Sequence, residues 1–295
     1  VAEPLAIDFD WLRDNPLPVH PNNTDKNSRG HVMAVGGSRT VPGGLRLTGE
    51  AALRAGAGKL RFATIASLAI PLGVLVPEAG MIALPEDDDG EIDRAAVETI
   101  LASMTRCDAL VVGPAMTSET AAAALVESIL GQPQAGTSVV IDAAAIAAAA
   151  NARDQIERHG GRVVLTPNGG ELARLLDAPA ADIEGDPRSA VQRAVDRTGA
   201  VVVVKGPNTL VATPEGNLLA YSGGGIGMAT GGSGDVLAGV LAGLLARGLA
   251  PLEAACWAIW LHGEAGRRLT ERLGPIGYLS RELLPLIPEL MRARH

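Results

Sequence analysis

Residues 222–239 read SGGGIGMATGGSGDVLAG, and the rest of the chain is best understood outward from them. The second half, Thr230-Gly231-Gly232-Ser233-Gly234-Asp235, puts three glycines into four positions just ahead of an apolar helical run at 236–245. Glycine lets a ligand approach the backbone where a side chain would block it. The first N–H groups of a helix lack intrahelical partners, and the helix dipole adds partial positive charge at that end. Together these make an anion site suited to a phosphate. The spacing is neither a Walker loop nor the GxGxxG that opens a dinucleotide-binding unit.

Asp235 sits at the same helix start and has two readings. It could simply favour the helix dipole, an effect of about 0.3–1 kcal/mol. It could also accept the proton of a hydroxyl that attacks a phosphoryl group held beside it. The glycine density exceeds what a helix cap requires, which weighs toward the second.

Upstream, short apolar runs end in turn residues and alternate with helical spacing. His31–Val35 ends at Gly36-Gly37-Ser38, and a helix is expected over 44–56. Strands follow at Lys59–Ile65 and Ala79–Leu84, then an acidic turn, 86–91, expected to be solvated, and helical spacing over 91–103. Further strands end at Gly113-Pro114, at Asp142, at Thr166-Pro167 and at Lys205-Gly206. Helices are expected over 118–130, in the alanine-rich run after Asp142, and over 170–176. Residues 210–213 and 217–221 read as a β-hairpin across Pro214-Glu215-Gly216, and 234–292 as helical. Continuous apolar strands alternating with helices predict an α/β fold: a central, mostly parallel sheet with helices on both faces and a small hairpin. Ligands of such sheets bind beyond the carboxyl ends of the strands.

Composition bounds the function. The 295 residues are 47% hydrophobic but only 2% aromatic, so the core is built from Ala, Leu, Val and Ile. A net charge of −8 without a basic cluster argues against nucleic acid as a partner. Cys107 and Cys256 lie inside apolar runs, as buried thiols of a reducing, cytoplasmic compartment would. No secretory signal or membrane-spanning run is read. The chain starts at Val1, which fits a piece of a longer protein. The five histidines lack zinc spacing. No serine has a nucleophile-elbow sequence.

The glycine loop resembles that of the ribokinase-like superfamily. Within it, the chain resembles the ADP/ATP-dependent NAD(P)H-hydrate dehydratases. The matching segments run in order: Ser28-Arg29-Gly30-His31-Val32 leading to Gly36-Gly37-Ser38, 51–58 (AALRAGAG), Val112-Gly113-Pro114, Ile141-Asp142-Ala143, Leu165-Thr166-Pro167 with Gly170-Glu171, Val204-Lys205-Gly206, and 227–239. The resemblance implies a ribokinase-like domain over residues 8–292. It implies an enzyme that phosphorylates the ring hydroxyl of hydrated NADH or NADPH with ADP or ATP and Mg²⁺, then eliminates phosphate. Asp235 would be the base, and Gly232, Ser233 and Gly234 the anion hole. Lys205, Gly206, Pro207, Asn208, Thr209 and Gly234 would bind the nucleotide, and Gly44, Ala115, Asn168 and Asp235 the hydrate. No side chain is expected to ligate a metal directly. Relatives form tetramers, so a homo-oligomer is implied, with no membrane partner.

The departures from the family pattern fall mostly on the hydrate side. Asn168 stands where the family has His, Ala115 where Gly-Pro-Gly ends, and Gly44 where Gly-Ala ends. Asp142-Ala143-Ala144 replaces Asp-Ala-Asp, and Gly224-Gly225-Ile226-Gly227 replaces Gly-Asn-Pro-Gly. Two alternatives therefore stay open: a kinase for a vitamin-precursor or sugar hydroxyl, and a nucleotide-binding protein without turnover. Lys205 could bind ligand or only pair with a carboxylate. Asn168 could cap the next helix, and Asp142 could cap or line the cleft. Glu171, His31 and His262 read as structural.

Overall fold

Runs such as Val201-Val202-Val203-Val204 have a side chain for each face of a sheet, and both faces are covered here. The computed structural model describes residues 3–19, 21 and 24–292. Its strands are β1 (Leu5–Ala6), β2 (His31–Val35), β3 (Lys59–Ile65), β4 (Ala79–Leu84), β5 (Ala109–Val112), β6 (Ser138–Ile141), β7 (Val163–Leu165), β8 (Val201–Val204), β9 (Asn208–Ala212) and β10 (Leu218–Ser222). Its helices are α1 (Phe9–Asp14), α2 (Gly44–Arg54), α3 (Ala66–Leu75), α4 (Val97–Met104), α5 (Glu119–Gly131), α6 (Arg153–Arg158), α7 (Gly169–Leu176), α8 (Ala180–Gly185), α9 (Pro187–Thr198), α10 (Ser233–Ala246), α11 (Pro251–Leu273) and α12 (Leu286–Arg292).

Among the described residues the strands form one sheet in the order β1-β10-β9-β8-β7-β6-β5-β2-β3-β4. Only β9 runs against the others, as the hairpin requires, since it is antiparallel to both β8 and β10. Strands β5 to β8 are buried on both faces. Chain order reverses direction at β2, which pairs with β3 on one side and β5 on the other. A crevice opens at the carboxyl ends there.

Helix α10 is buried from Val236 through Ala246, which explains a sequence with no polar face. It packs on α2 through small residues. A Cβ on Gly239 would lie 2.1 Å from the Thr48 carbonyl oxygen, and one on Gly243 2.5 Å from that of Ala52. Backbone thus meets backbone, and the two helices are locked in register. Leu45 of α2 is fully buried, and burial of such a side chain contributes about 1.5–3 kcal/mol. The amino end of α10, where the glycine loop arrives, is therefore rigidly placed.

Three expectations change. The acidic turn is not wholly solvated: Glu91 is 3% exposed and accepts hydrogen bonds from the backbone and hydroxyl of Thr117. The alanine run Ala143–Asn151 winds as a 3-10 helix, its small side chains fitting the tighter coil between α5 and α7. Residues 274–285 are not helical apart from the short turn Ser280–Glu282.

Candidate active site

Three consecutive strand ends and one helix start converge on a single cleft. Asp142 follows β6, Asn168 follows β7, Lys205 follows β8, and Asp235 lies in the first turn of α10. Lys205 and Asn168 are drawn together by a parallel bridge, with the Lys205 N–H donating to the Pro167 carbonyl at 2.8 Å.

The charges form one network. Lys205 Nζ donates to Asp142 Oδ1 at 2.7 Å and lies 3.6 Å from Glu171 Oε2. The same Asp142 oxygen accepts the Thr166 hydroxyl at 2.7 Å. Burial pulls the Lys205 ammonium down, but the charges of Asp142 and Glu171 and the hydrogen bond to Asp142 outweigh it, so it is raised and stays charged. Asp142 forms no side-chain cap on the run that follows it, and is 2% exposed. It is an ion-pair partner inside the cleft. Asn168 does cap: its Oδ1 accepts from the Glu171 N–H at 2.9 Å, and the Glu171 carboxylate accepts from the Asn168 N–H at 2.8 Å. The capping box fixes Glu171 beside Lys205 and leaves the Asn168 amide hydrogens for a ligand.

Asp235 is pushed up to about 7 from the usual 3.8. Burial is the largest cause, the charge of Asp142 adds to it, Lys205 offsets part, and Glu171 adds a little. A carboxyl poised near neutrality is suited to taking a proton.

A cavity of about 690 Å³ opens beside this network. Lys205, Gly206, Pro207, Thr209, Ser233, Gly234 and Asn168 line it, with apolar walls from Ile226, Met228, Leu237 and Ile259. Asn208 is absent from that wall; its side chain instead accepts the Ser222 hydroxyl at 2.6 Å across the hairpin. The backbone N–H groups of Gly232, Gly234 and Asp235 have no acceptor among the described residues, whereas that of Ser233 donates to the Thr230 carbonyl. Unsatisfied donors at a helix start, with Lys205 Nζ 3.3 Å from where a Gly234 Cβ would stand, fit a phosphate.

Gly44 and Ala115 lie beside Asp235 and are not among the residues lining the cavity. A Cβ on Gly44 would be 3.2 Å from Asp235 Oδ2 and 2.8 Å from the Ala115 methyl. Ala115 has φ 58°, a left-handed conformation that non-glycine residues seldom adopt. The two departures from the family pattern are thus in contact. A methyl missing at position 44 is present at 115.

His262, which reads as structural in the sequence, is placed by the fold at the candidate site. It lines the cavity from α11, and its Nε2 is 3.1 Å from the Ser233 hydroxyl. Burial pushes its imidazole down to about 4, so it is neutral. The signal available in sequence was only a histidine on a helix near two tryptophans. Nothing there links it to a serine at position 233.

Comparison with known proteins gives a consistent result. The family model described as NAD(P)H-hydrate dehydratase (Carb_kinase) matches residues 32–289. The ADP-dependent (S)-NAD(P)H-hydrate dehydratase of Xanthomonas campestris pv. campestris is 43% identical over 280 residues, 95% of this chain and 93% of that one. A bifunctional NAD(P)H-hydrate repair enzyme of Moorella thermoacetica is 35% identical over 96% of this chain and 53% of its own length, so the chain spans about half of that relative. Among solved structures, a ribokinase-like superfamily protein of Enterococcus faecalis superposes with a TM-score of 0.81 at 25% identity, covering 98% of this chain and 96% of that one. The ADP/ATP-dependent NAD(P)H-hydrate dehydratase of Bacillus subtilis, co-crystallised with ATP/Mg²⁺, gives 0.80 at 24% identity over 99% of each chain.

Proposed function

Since the chain belongs to the NAD(P)H-hydrate dehydratase family of the ribokinase-like superfamily, we propose that it repairs hydrated NADH and NADPH in an ADP-dependent reaction. The observation that carries this reading to the residues is the placement of Asp235. It directly follows Gly234, which lines the cavity and has an unsatisfied backbone donor, and its carboxylate adjoins the Gly44–Ala115 contact.

Asp235, ionised, takes the proton of the hydrate's ring hydroxyl. The hydroxyl oxygen attacks the terminal phosphorus of ADP, a P–O bond forms, and AMP departs. Gly232, Gly234 and the α10 dipole stabilise charge on the transferring phosphoryl oxygens. Ser233 contributes through its side chain and its place in the loop. Lys205 holds the nucleotide with Gly206, Pro207 and Thr209, and Asn208 shapes the hairpin beside them. The ring nitrogen's lone pair then expels inorganic phosphate, and loss of the neighbouring C–H proton restores the dihydropyridine. Asn168 offers its amide hydrogens to the hydrate, and Gly44 and Ala115 form the wall against it.

Mg²⁺ fits this reading as the counter-ion of the phosphates, as in phosphoryl transfer generally. Among the described residues no group of three His, Cys, Asp or Glu side chains is placed to hold a metal. The family likeness would have the ion carried on the nucleotide's own phosphate oxygens. Residues 8–292 are taken as one catalytic domain built on the single sheet. A homo-oligomer, tetrameric by family likeness, is supported by the exposed apolar face of α3, where Ile70 and Val74 are 79% and 76% exposed. A cytoplasmic location goes with the same reading. No helix among the described residues is long and apolar enough to cross a membrane.

The test is incubation with hydrated NADH, Mg²⁺ and either ADP or ATP. Return of the reduced-nicotinamide absorbance, with release of AMP or ADP and phosphate, is expected. No recovery with either nucleotide, alongside phosphorylation of another hydroxyl compound, would replace the dehydratase by a kinase.

A further inference from the structure

The glycine loop folds back on itself just before α10. The Ser233 N–H donates to the Thr230 carbonyl at 3.2 Å, closing a four-residue turn. Gly232, its third residue, has φ 86° and ψ −7°. These are the angles of a type II turn, which needs positive φ at that position. The commoner type I turn keeps the same closing hydrogen bond. It differs by a half-rotation of the central peptide, here the one joining Gly231 to Gly232. With glycine on both sides, that rotation meets no Cβ. The glycine pair itself therefore does not bar the second orientation.

The choice has a chemical consequence. In a planar trans peptide the C=O and N–H point in opposite directions. One orientation turns a donor toward a bound phosphate, and the other turns a carbonyl oxygen toward it.

Ser280 contacts this peptide. Its hydroxyl donates to the Gly231 carbonyl at 2.8 Å. Ser280 is buried and firmly seated: the Leu279 N–H donates to the Glu282 carboxylate at 2.7 Å, and Leu283, Leu284 and Ile287 anchor the segment in the core. With the carbonyl drawn toward Ser280, the Gly232 N–H points the other way, where it has no acceptor among the described residues.

We propose that Ser280 is a positioning residue for phosphoryl transfer, its hydroxyl holding the Gly231–Gly232 peptide so that the Gly232 N–H faces the transferring group. This rests on the reading of the loop as the phosphate site given above. Ser280 acts through the peptide and touches no reacting atom.

Ser280→Ala and Ser280→Thr in the full chain test it. Outright removal of such a donor slows related chemistry by about 10²–10³, and a peptide that can still rotate back should lose less, about tenfold in kcat. ADP affinity and KM for the hydrate should stay within about threefold. The melting temperature should hold, and Ser280→Thr, which keeps the hydroxyl, should recover most of the rate. A crystal structure of Ser280→Ala should show the peptide rotated in part or all of the molecules. An unrotated peptide, wild-type kcat in Ser280→Ala, or equal losses in both variants would overturn the proposal. If the wild type fails to turn over hydrate, the functional reading falls, and the peptide orientation in Ser280→Ala still decides this one.

Discussion

Replacing Asp235 with asparagine should slow turnover severely and stabilise the fold, and the second effect should depend on pH. Burial, with the nearby charge of Asp142 and Glu171 only partly offset by Lys205, holds Asp235 at about 7 against the ordinary 3.8. A carboxyl raised in this way keeps its proton in the folded chain where the unfolded chain has already released it. Stability associated with the neutral form is therefore complete below 3.8 and is lost as pH rises from there through about 7. Above that, the ionised carboxylate opposes folding in full. At about 1.36 kcal/mol per pH unit the interval amounts to about 4 kcal/mol, an upper bound because solvent in the cleft screens part of it. Asparagine has the same shape and no charge. Asp235→Asn should match the wild type near pH 4 and exceed it by roughly 1–4 kcal/mol near pH 8.5 in denaturant unfolding. Hydrate turnover should fall by about 10² or more while ADP still binds. A stability difference that does not grow with pH would refute the raised carboxyl. Turnover retained near the wild-type level would refute its role as base.

The same carboxyl sets the rate profile: kcat/KM for the hydrate should rise with pH through about 7 and then level, and a flat profile down to about pH 5 would exclude Asp235 as the base. Lys205→Met should leave Asp142 and Glu171 without their cation. A loss of about 3–5 kcal/mol in unfolding free energy is expected, with weaker ADP binding by calorimetry and a pH–rate limb moved upward. Gly44→Ala should raise KM for the hydrate with little change in ADP affinity, because the new methyl meets Ala115 and Asp235. Adding Ala115→Gly should restore it. Additive losses in the double variant would show that the two positions are not coupled.

Much of the fold was readable because strands buried on both faces need unbroken apolar runs. His31–Val35, Lys59–Ile65 and Ala79–Leu84 fall where the sequence places them. Helix α3 was not read, because a uniformly apolar segment containing Pro71 carries no 3.6-residue contrast. Helix α9 was not read either, although Val191, Ala194, Val195 and Thr198 share its buried face. The site divides in the same way. The glycine loop and Asp235 are contiguous and so legible. Lys205 with Asp142, Ser233 with His262 and Gly231 with Ser280 are pairs made by topology, lying 63, 29 and 49 positions apart. No local pattern announces such pairs.

That distinction also decides how the departures from the family pattern weigh. In sequence, glycine at 44 and alanine at 115 look like two independent losses on the acceptor side. In space they are one exchange. A methyl at position 44 would collide with the one at position 115, so the two positions share one space beside Asp235. The exchange has a cost: Ala115 is held at positive φ, where glycine would sit without strain. Asn168 is likewise not a deletion, since it caps α7, fixes Glu171 beside Lys205 and still presents an amide to the cleft. A chain drifting toward a different acceptor would have no reason to keep the two positions matched. Compensation in place, at some expense in backbone strain, is what retention of the same acceptor predicts, and it favours the hydrate over another hydroxyl compound.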